Sequence, residues 1–424
     1  MKAIRFDTAV PRNKLGRAML ALAPTTMIRL GRWIDRIYPS LMWSGLMNTY
    51  LDEVPEPPLP NDEWVRVNTR YGGICGSDTA IIHLSTSEYY TALTKTPITI
   101  GHENVGRISL VGANVKGWSV GDRVVVEPLL WCKPRRFTDL CRYCARGEIN
   151  LCERVTEGTV SPGLLIGGCR DTGGSWSPSF VAHESQLYRV PDHVSDENAL
   201  LVEPFAIGLH AALQYFPRDD ETVLILGAGI IGLGTLAALR TLGSKARLLV
   251  LARYDFQAEA ARRLGASEII SAARSNDYYT DIAKRTGARV LQPLTGKRVV
   301  IGGVDRTYEC VGNDSSLDDA VRLTRGDGTV VIIGEQGITH DVDWSAIFLK
   351  ELDVRASYTY HHDESFEGKK WRTFDLALDW MERGVLDIGW LVTHRYKLAE
   401  YRHALDAVSH RGASKVIKAV FEFS

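Results

Sequence analysis

A glycine-rich turn after an apolar segment is the feature that most restricts the fold of this chain. Gly227, Gly229 and Gly232 follow a β-branched, apolar run and lead into an Ala- and Leu-rich stretch. Glycines at this spacing let a strand turn tightly into a helix, so that amides at the helix start approach a pyrophosphate. Together with Ile230 and Ile231, they predict a strand–turn–helix unit that binds a dinucleotide.

Apolar periodicity divides the chain into two regions. Segments that alternate with helical stretches predict a parallel sheet with right-handed crossovers. These segments are Val223–Leu226, Leu248–Leu251, Arg298–Ile301, Arg306–Glu309 and Thr329–Ile333. Between Trp64 and Val126, short β-rich runs alternate with glycine-containing turns, which is typical of an antiparallel, barrel-like domain.

We expect two domains that are interleaved along the 424 residues. Residues 1–203 predict a catalytic domain with a helical insertion at 11–50 and a cysteine lobe at 127–155. Residues 204–337 predict the dinucleotide-binding domain. Residues 338–424 contain strand-like segments near 352–357 and 415–421, and we expect them to return to the first domain, leaving a cleft for substrate.

Three separated segments supply the side chains of a metal site. Cys75, His102 and Glu203 offer a thiolate, an imidazole and a carboxylate. These are ligands of a catalytic zinc ion, which keeps one position open for substrate. Glu103 adds a carboxylate that either joins the ligands or supports them. Each residue alone is more typical of a structural role, and only the combination predicts the site.

Two further residues near Cys75 fit a catalytic role. Asp78 is expected to accept a hydrogen bond from the far nitrogen of His102 and fix its tautomer, with loop capping as the alternative. Ser77 has a hydroxyl that can pass an alcohol proton toward solvent, although serine also commonly forms turns.

A second cysteine-rich segment predicts a structural metal site. Eight, two and seven residues separate its four members, which are Cys132, Cys141, Cys144 and Cys152. Four thiolates of this kind close a structural zinc site. Disulfides are the alternative, and the absence of a secretory signal at the N-terminus argues against them.

The residues after the second predicted strand of the parallel sheet indicate which of the two nicotinamide dinucleotides, NAD or NADP, the chain binds. Ala252, Arg253 and Tyr254 occupy the place where an NAD-selective site puts an acid on the ribose hydroxyls. An alanine removes the repulsion to a 2′-phosphate, and the guanidinium of Arg253 can bind it. The sequence favours NADP over NAD. Asp255 is counter-evidence, because a one-turn shift in register would bring it to the ribose.

Residues 11–50 predict an amphipathic helical arm. Met27, Leu30, Ile34 and Ile37 recur at helical spacing, with arginines elsewhere on the helical wheel. We favour an arm that covers a core edge or a subunit interface. A lid over the cleft and a peripheral membrane contact are the alternatives.

Composition restricts the partners. A formal net charge of -1 gives no global electrostatic reason to bind nucleic acid or an acidic membrane, so small molecules are the expected partners. The N-terminus lacks the basic-then-apolar layout of a secretory signal, which predicts a cytoplasmic protein. Glycines interrupt the apolar run at 223–239 and favour the strand–turn–helix unit over a membrane span.

In this order, the motifs resemble the zinc-containing medium-chain dehydrogenase/reductase family, most closely its sorbitol and polyol dehydrogenase branch. The resemblance covers about residues 52–424. Later matches are Tyr308–Gly312 and Leu391–His394. It implies an α/β fold, with a GroES-like β-barrel catalytic domain and a Rossmann doubly wound parallel sheet domain. It also implies a dimer or tetramer and reversible hydride transfer at a secondary alcohol.

The resemblance assigns further roles. Cys75 and His102 would be zinc ligands, Glu203 would replace a second cysteine, and Lys415 would meet the cofactor phosphates. Three features depart from the family pattern. These are the arm, the long first gap of the cysteine lobe, and the lack of a histidine shortly after Asp78, where His83 lies further on.

The leading functional hypothesis is a zinc-dependent enzyme that transfers a hydride between NADP(H) and a polyol, cyclitol, sugar or other secondary alcohol. One alternative is a primary-alcohol or aldehyde reductase. Another is a non-catalytic redox sensor that binds zinc and a dinucleotide. Ser77 beside a complete ligand set favours the enzyme, because a sensor needs no proton path.

Overall fold

The computed structural model describes residues 1–8, 22–273 and 277–424. The strands are β1 Lys2–Phe6, β2 Thr49–Glu53, β3 Trp64–Gly73, β4 Ile98–Thr99, β5 Asn104–Val111, β6 Arg123–Val126, β7 Ser179–His183, β8 Leu187–Arg189, β9 Thr222–Leu226, β10 Arg247–Ala252, β11 Glu268–Ser271, β12 Arg289–Leu291, β13 Val299–Ile301, β14 Val304–Glu309, β15 Thr324–Ile332, β16 Asp353–Ala356, β17 Glu364–Phe366, β18 Lys369–Trp371, β19 Val392–Tyr396 and β20 Lys418–Glu422. The α-helices are α1 Pro24–Ile37, α2 Gly76–Ile82, α3 Asp196–Leu200, α4 Val202–Gln214, α5 Ile230–Thr241, α6 Asp255–Arg263, α7 Tyr278–Thr286, α8 Asp314–Leu323, α9 Ser345–Lys350, α10 Thr373–Glu382, α11 Tyr401–Ser409 and α12 Arg411–Ser414.

The chain forms two compact units. The first contains Met1–Glu203 and Phe374–Ser424, and the second contains Pro204–Thr373. The division at 373/374 falls later than the boundary at 337/338 that the sequence suggested. The reason is β16, which pairs in parallel with β15 through Thr329 and Asp353 and so keeps the segment near 352–357 in the second unit.

The second unit is built on a six-stranded parallel sheet with strand order β11-β10-β9-β14-β15-β16. One expected member is missing from it. The segment at 298–301 forms β13, which pairs antiparallel with β12 in a separate two-stranded sheet. Val300 is buried, whereas Val299 and Ile301 are exposed, so only one face of this strand is covered. The sheet edge is taken by Glu268–Ser271 instead.

The first unit is built on a sheet with strand order β19-β20-β3-β5-β6-β8, in which β7 also pairs with β3. All of these pairs are antiparallel except β19 with β20. The C-terminal strand β20 pairs with the end of β3, with Val420 opposite Gly73. Residues near the end of the chain therefore lie beside the strand that leads to Cys75.

The predicted arm contains helix α1, while residues 11–21 lie outside the described part of the chain. Met27 is buried in the same core cluster as Ile82 of α2. Leu30 and Ile37, expected on the buried face, are 37% and 47% exposed. No helix among the residues described is long and apolar enough to span a membrane.

Polar contacts also tie the arm to the chain around α2. Arg32 Nε donates to the carbonyl of Leu84 at 2.7 Å, and Asp35 Oδ1 lies 2.6 Å from His83 Nδ1. The arm thus packs against the helix that begins immediately after Cys75.

Candidate functional site

Three of the predicted metal-binding residues meet in the first unit. One ligand atom from each of Cys75, His102 and Glu103 lies within 4.8 Å of the other two. His102 and Glu103 are buried and Cys75 is half-buried. A thiolate, an imidazole and a carboxylate that converge in this way are a donor set suited to zinc.

The position of Cys75 follows from the start of helix α2. Cys75 is the N-cap residue, and its side chain accepts from the backbone of Asp78, while Asp78 Oδ2 accepts from the Cys75 amide at 3.0 Å. This reciprocal capping satisfies amides that the helix leaves unpaired. It also holds the sulfur and the aspartate in a fixed relation, so the loop-capping role considered for Asp78 is present.

Asp78 also contacts the imidazole. Asp78 Oδ1 lies 3.4 Å from His102 Nδ1, and both side chains are more than nine-tenths buried. Burial lowers the pKa of His102, but Asp78 and then Cys75 raise it, and the result lies well above the usual range. The surroundings therefore favour positive charge at this place, which fits a bound cation. The contact at Nδ1 leaves Nε2 available to a metal ion.

Glu103 forms a buried ion pair with Lys418 of β20. Their side chains are 0% and 1% exposed. The Glu103 carboxylate can occupy this position only because residue 73 is a glycine, since a Cβ on Gly73 would lie 1.9 Å from Glu103 Oε2. Sequence reasoning missed Lys418. The signal was a lysine within an otherwise apolar strand, which requires a buried carboxylate partner.

A second cation that the sequence analysis did not single out lies near the same site. Burial lowers the pKa of Arg411, and the negative charges of Cys75 and Glu103 partly oppose that shift. Arg411 begins the short helix α12, and its guanidinium Nε donates to the carbonyl of Val408 at 3.1 Å. The C-terminal segment thus brings two positive charges toward the donor set.

Two other predicted residues lie apart from the three-residue grouping. Glu203 is 5% exposed at the start of α4 but is not a member of that grouping. Ser77 is half-buried in the first turn of α2, two positions after Cys75. The structure therefore associates Glu103, rather than Glu203, with the thiolate and the imidazole.

The cysteine lobe forms a compact tetrathiol cluster. Its four members, Cys132, Cys141, Cys144 and Cys152, are all buried, and their sulfurs lie within 4.8 Å of one another. Hydrogen bonding from Cys144 lowers the pKa of Cys152 to about 6. The cysteines are free thiols, and the long gap after Cys132 does not displace it from the group. Four converging sulfurs fit a closed zinc site.

Arg135, which sequence reasoning also missed, organises the loops around this lobe. It is 0% exposed, and it donates to the carbonyls of Leu130 at 2.8 Å, Glu157 at 2.8 Å and Gly163 at 2.5 Å. One buried guanidinium thus fixes three loop segments.

The glycine turn in the second unit has the geometry of a phosphate cradle. Gly227 follows β9 with φ +102°, and Gly229 is the N-cap of α5. A Cβ on Gly232 would lie 1.9 Å from the Gly227 carbonyl oxygen, whereas a Cβ on Gly229 would meet nothing within 4 Å. Gly232 is therefore needed for the turn itself, and the space beside Gly229 is open to a pyrophosphate at the helix start.

Glu309 supports this turn from the adjacent parallel strand β14. It is 0% exposed, and its Oε1 accepts from the amides of Val311 at 2.9 Å and Gly312 at 3.0 Å. Val311 in turn leaves no room for a side chain at residue 227, because a Cβ on Gly227 would lie 2.5 Å from Val311 Cγ2. The Tyr308–Gly312 motif thus has a structural role beside the cradle.

The predicted nucleotide-selecting residues follow β10. The strand ends at buried Ala252, Arg253 is exposed, and the Arg253 guanidinium lies 5.6 Å from the ring centroid of Tyr254. Asp255 is in the first turn of α6, beyond the strand end. Lys415 belongs to the first unit, where it is exposed and caps α12 with φ +56°.

Comparison with known proteins decides the family. The alcohol dehydrogenase GroES-like domain matches residues 61–192, and the zinc-binding dehydrogenase domain matches residues 231–382. A sorbitol dehydrogenase from Arabidopsis thaliana is 30% identical over 364 residues, covering 85% of this chain and 88% of the relative. The chain belongs to the zinc-containing medium-chain dehydrogenases.

Other relatives agree with this placement. An L-idonate 5-dehydrogenase from Vitis vinifera is 29% identical to this dehydrogenase, covering 79% of this chain and 81% of the relative. The crystal structure of galactitol-1-phosphate dehydrogenase from Escherichia coli matches with a TM-score of 0.69 and 21% identity, covering 100% of each chain. That structural match shows the fold alone.

Family membership confirms the predicted fold class, a GroES-like domain combined with a Rossmann-type parallel sheet domain. The dehydrogenase is an oxidoreductase of the alcohol and polyol dehydrogenase branch. Membership of the zinc-binding dehydrogenases and an NADH-bound structure at 25% identity support zinc and a nicotinamide dinucleotide as its cofactors.

Proposed function

We propose that this dehydrogenase transfers a hydride between NADP(H) and a secondary alcohol or its ketone, with a polyol, cyclitol or sugar-like substrate. The observation that carries the proposal is the convergence of Cys75, His102 and Glu103 within 4.8 Å. The relatives named for sorbitol and L-idonate support a polyhydroxylated substrate.

In this proposal the residues around one catalytic zinc have different roles. Cys75 and His102 would hold the metal, and Asp78 fixes the imidazole through its contact at Nδ1. When bound, zinc polarises the oxygen of the substrate. Ser77 takes the hydroxyl proton of the alcohol and passes its own proton toward solvent.

The carboxylates have different positions in the proposal. Glu103 lies with the other donors, and Lys418 orients it and balances its charge. Glu203, buried at the start of α4, remains a proposed ligand or a carboxylate that supports the metal. The cysteine lobe would hold a second, structural zinc.

The preference for NADP rests on the end of β10. Ala252 leaves no carboxylate at the strand end to repel a 2′-phosphate, and the exposed guanidinium of Arg253 follows directly. Asp255 is the first residue of helix α6, which argues against a contact between its carboxylate and the ribose. Gly227, Gly229 and Gly232, with Ile230 and Ile231 of α5, would receive the pyrophosphate, and Lys415 would add a contact to the phosphates.

The remaining parts of the proposal follow from family membership. We propose a homodimer or homotetramer in the cytoplasm, acting on small molecules. The proposed enzyme catalyses both the oxidation of secondary alcohols and the reduction of the corresponding ketones.

A panel of secondary alcohols and their ketones tests the function. Each compound is assayed with NADP(H) and with NAD(H), after the zinc content of the protein has been measured. The proposal expects turnover of polyhydroxylated secondary alcohols with NADP. Turnover restricted to primary alcohols or aldehydes would favour the reductase alternative. Dinucleotide binding without any turnover would favour the redox sensor.

A further inference from the structure

A second convergence of metal-ligand side chains lies wholly within the second unit, and the proposed function does not use it. His210, His361 and Glu364 each place one ligand atom within 4.8 Å of the others. His210 is 2% exposed, Glu364 is 4% exposed, and His361 is half-buried. Two imidazoles and a carboxylate thus meet where water is largely excluded.

Regular structure holds two of these residues. His210 is in the middle of helix α4, and Glu364 begins strand β17, whose partner strand β18 places Trp371 opposite it. Glu364 Oε1 is hydrogen-bonded to His210 Nδ1, and Thr373 Oγ1 lies 3.3 Å from the same oxygen. The carboxylate is therefore oriented from two sides.

The third residue is fixed through its backbone. The His361 amide donates to Thr373 Oγ1 at 3.1 Å, and Thr373 Oγ1 donates to the His361 carbonyl at 2.8 Å. The Thr373 amide donates to the same carbonyl at 3.0 Å. This clamp places the His361 ring 4.2 Å from the ring of His210, centroid to centroid, at an interplanar angle of 53°.

We propose that His210, His361 and Glu364 bind one divalent transition-metal ion of the zinc type, separate from the two sites of the first unit. Two imidazole nitrogens and one carboxylate oxygen form a known zinc donor set. Zinc bonds of about 2.0–2.2 Å bring tetrahedral ligands to about 3.4 Å from each other. Binding therefore requires small side-chain rotations in which His210 and Glu364 move apart and the metal replaces the hydrogen bond between them.

The role of this ion is structural. It links helix α4 to the hairpin of β17 and β18, and the partly exposed His361 gives it an entry path. A buried histidine–glutamate pair alone would account for His210 and Glu364. It would not account for the clamp that holds a second imidazole against the first.

Zinc counting on the full-length protein tests the proposal. Native mass spectrometry and elemental analysis compare the wild type with His361→Ala, Glu364→Gln and the control His362→Ala, all purified in zinc-supplemented buffer. His361→Ala and Glu364→Gln are each expected to hold one zinc fewer per chain than the wild type, and the control to hold the same number. Because the readout is a difference, it does not depend on turnover or on the sites in the first unit.

Further variants keep the test decisive. Cys75→Ser and Cys132→Ser are expected to retain the zinc that His361→Ala loses, and the loss should add in the double variant Cys132→Ser/His361→Ala. If His361→Ala fails to fold, His361→Gln and Glu364→Gln supply the same comparison. Equal zinc content in the wild type and in folded variants of both residues would overturn the proposal and leave a buried ion pair only.

Discussion

Lys418 and Glu103, 315 positions apart in the chain, form an ion pair whose side chains are almost completely shielded from solvent. The pair connects the C-terminal strand to the loop that carries His102. Its charges balance each other, so removal of one partner leaves the other as a buried charge without its ion-pair partner.

Lys418→Met is expected to lower the free energy of unfolding by about 3–5 kcal/mol, because it leaves the buried Glu103 carboxylate without its ion-pair partner. Denaturant unfolding measures the change, with Lys415→Met as the matched control on an exposed lysine nearby. The control should change stability by less than about 0.5 kcal/mol. Equal stability of the two variants would show that the pair does not contribute in this way.

The two glycines of the phosphate cradle should respond differently to alanine. Gly229→Ala meets open space, so we expect its stability to stay within about 1 kcal/mol of the wild type while dinucleotide affinity falls. Gly232→Ala forces a Cβ against the Gly227 carbonyl and should cost about 1–3 kcal/mol of stability. Unfolding curves and dinucleotide titration separate the two effects. Unaltered affinity in Gly229→Ala would argue against a cofactor beside this residue.

Arg253 should select NADP, because a charge-assisted hydrogen bond to the 2′-phosphate is worth about 1.5–3 kcal/mol. Arg253→Ala is therefore expected to raise the Michaelis constant for NADP by about 10- to 100-fold with little effect on NAD. Steady-state kinetics with both nucleotides measure this, with exposed Arg262→Ala at the other end of helix α6 as the control. Equal effects on both nucleotides would show that Arg253 does not read the phosphate.

Sequence patterns predicted the parts of the fold that depend on local periodicity. The glycine turn, the strand before it and the helix after it form as expected, because their apolar residues and φ requirements are encoded within a few positions. The segment at 298–301 was misassigned, because a short apolar run does not show which strands it will pair with.

The residues of the proposed metal site also differ in how far the sequence predicts their positions. Cys75, Asp78 and His102 were predictable because each belongs to a compact motif. Lys418 was not, because its partner Glu103 is brought to it only by the pairing of β20 with β3. The choice between Glu103 and Glu203 also depended on three-dimensional proximity, which neighbours in sequence do not define.

The two carboxylates can be distinguished by conservative substitution. Glu103→Gln is expected to weaken zinc retention, because its carboxylate lies with the other donors. Glu203→Gln is expected to lower turnover with a smaller loss of zinc, if it acts beside the metal rather than on it. Zinc content and turnover of each variant are measured in parallel. Full activity with normal zinc in both variants would exclude both residues from the site.

The cysteine lobe and the catalytic cluster should hold separate ions. Cys132→Ser and Cys75→Ser are each expected to lose one zinc equivalent, and the double variant two, because the sulfurs belong to different groupings. Elemental analysis counts the metal, and Cys169→Ser, which alters a buried thiol outside both groupings, serves as the control. Retention of all the zinc in either variant would remove that cysteine from its assigned site.

Restoration of activity by zinc tests the central claim most directly. The protein is stripped with a chelator, and NADPH formation from a polyhydroxylated secondary alcohol is followed while zinc is added back. The account predicts loss of activity on stripping and its return with zinc in the wild type, but no return in Cys75→Ser. Full activity of the zinc-free wild type, or full recovery of Cys75→Ser, would contradict it.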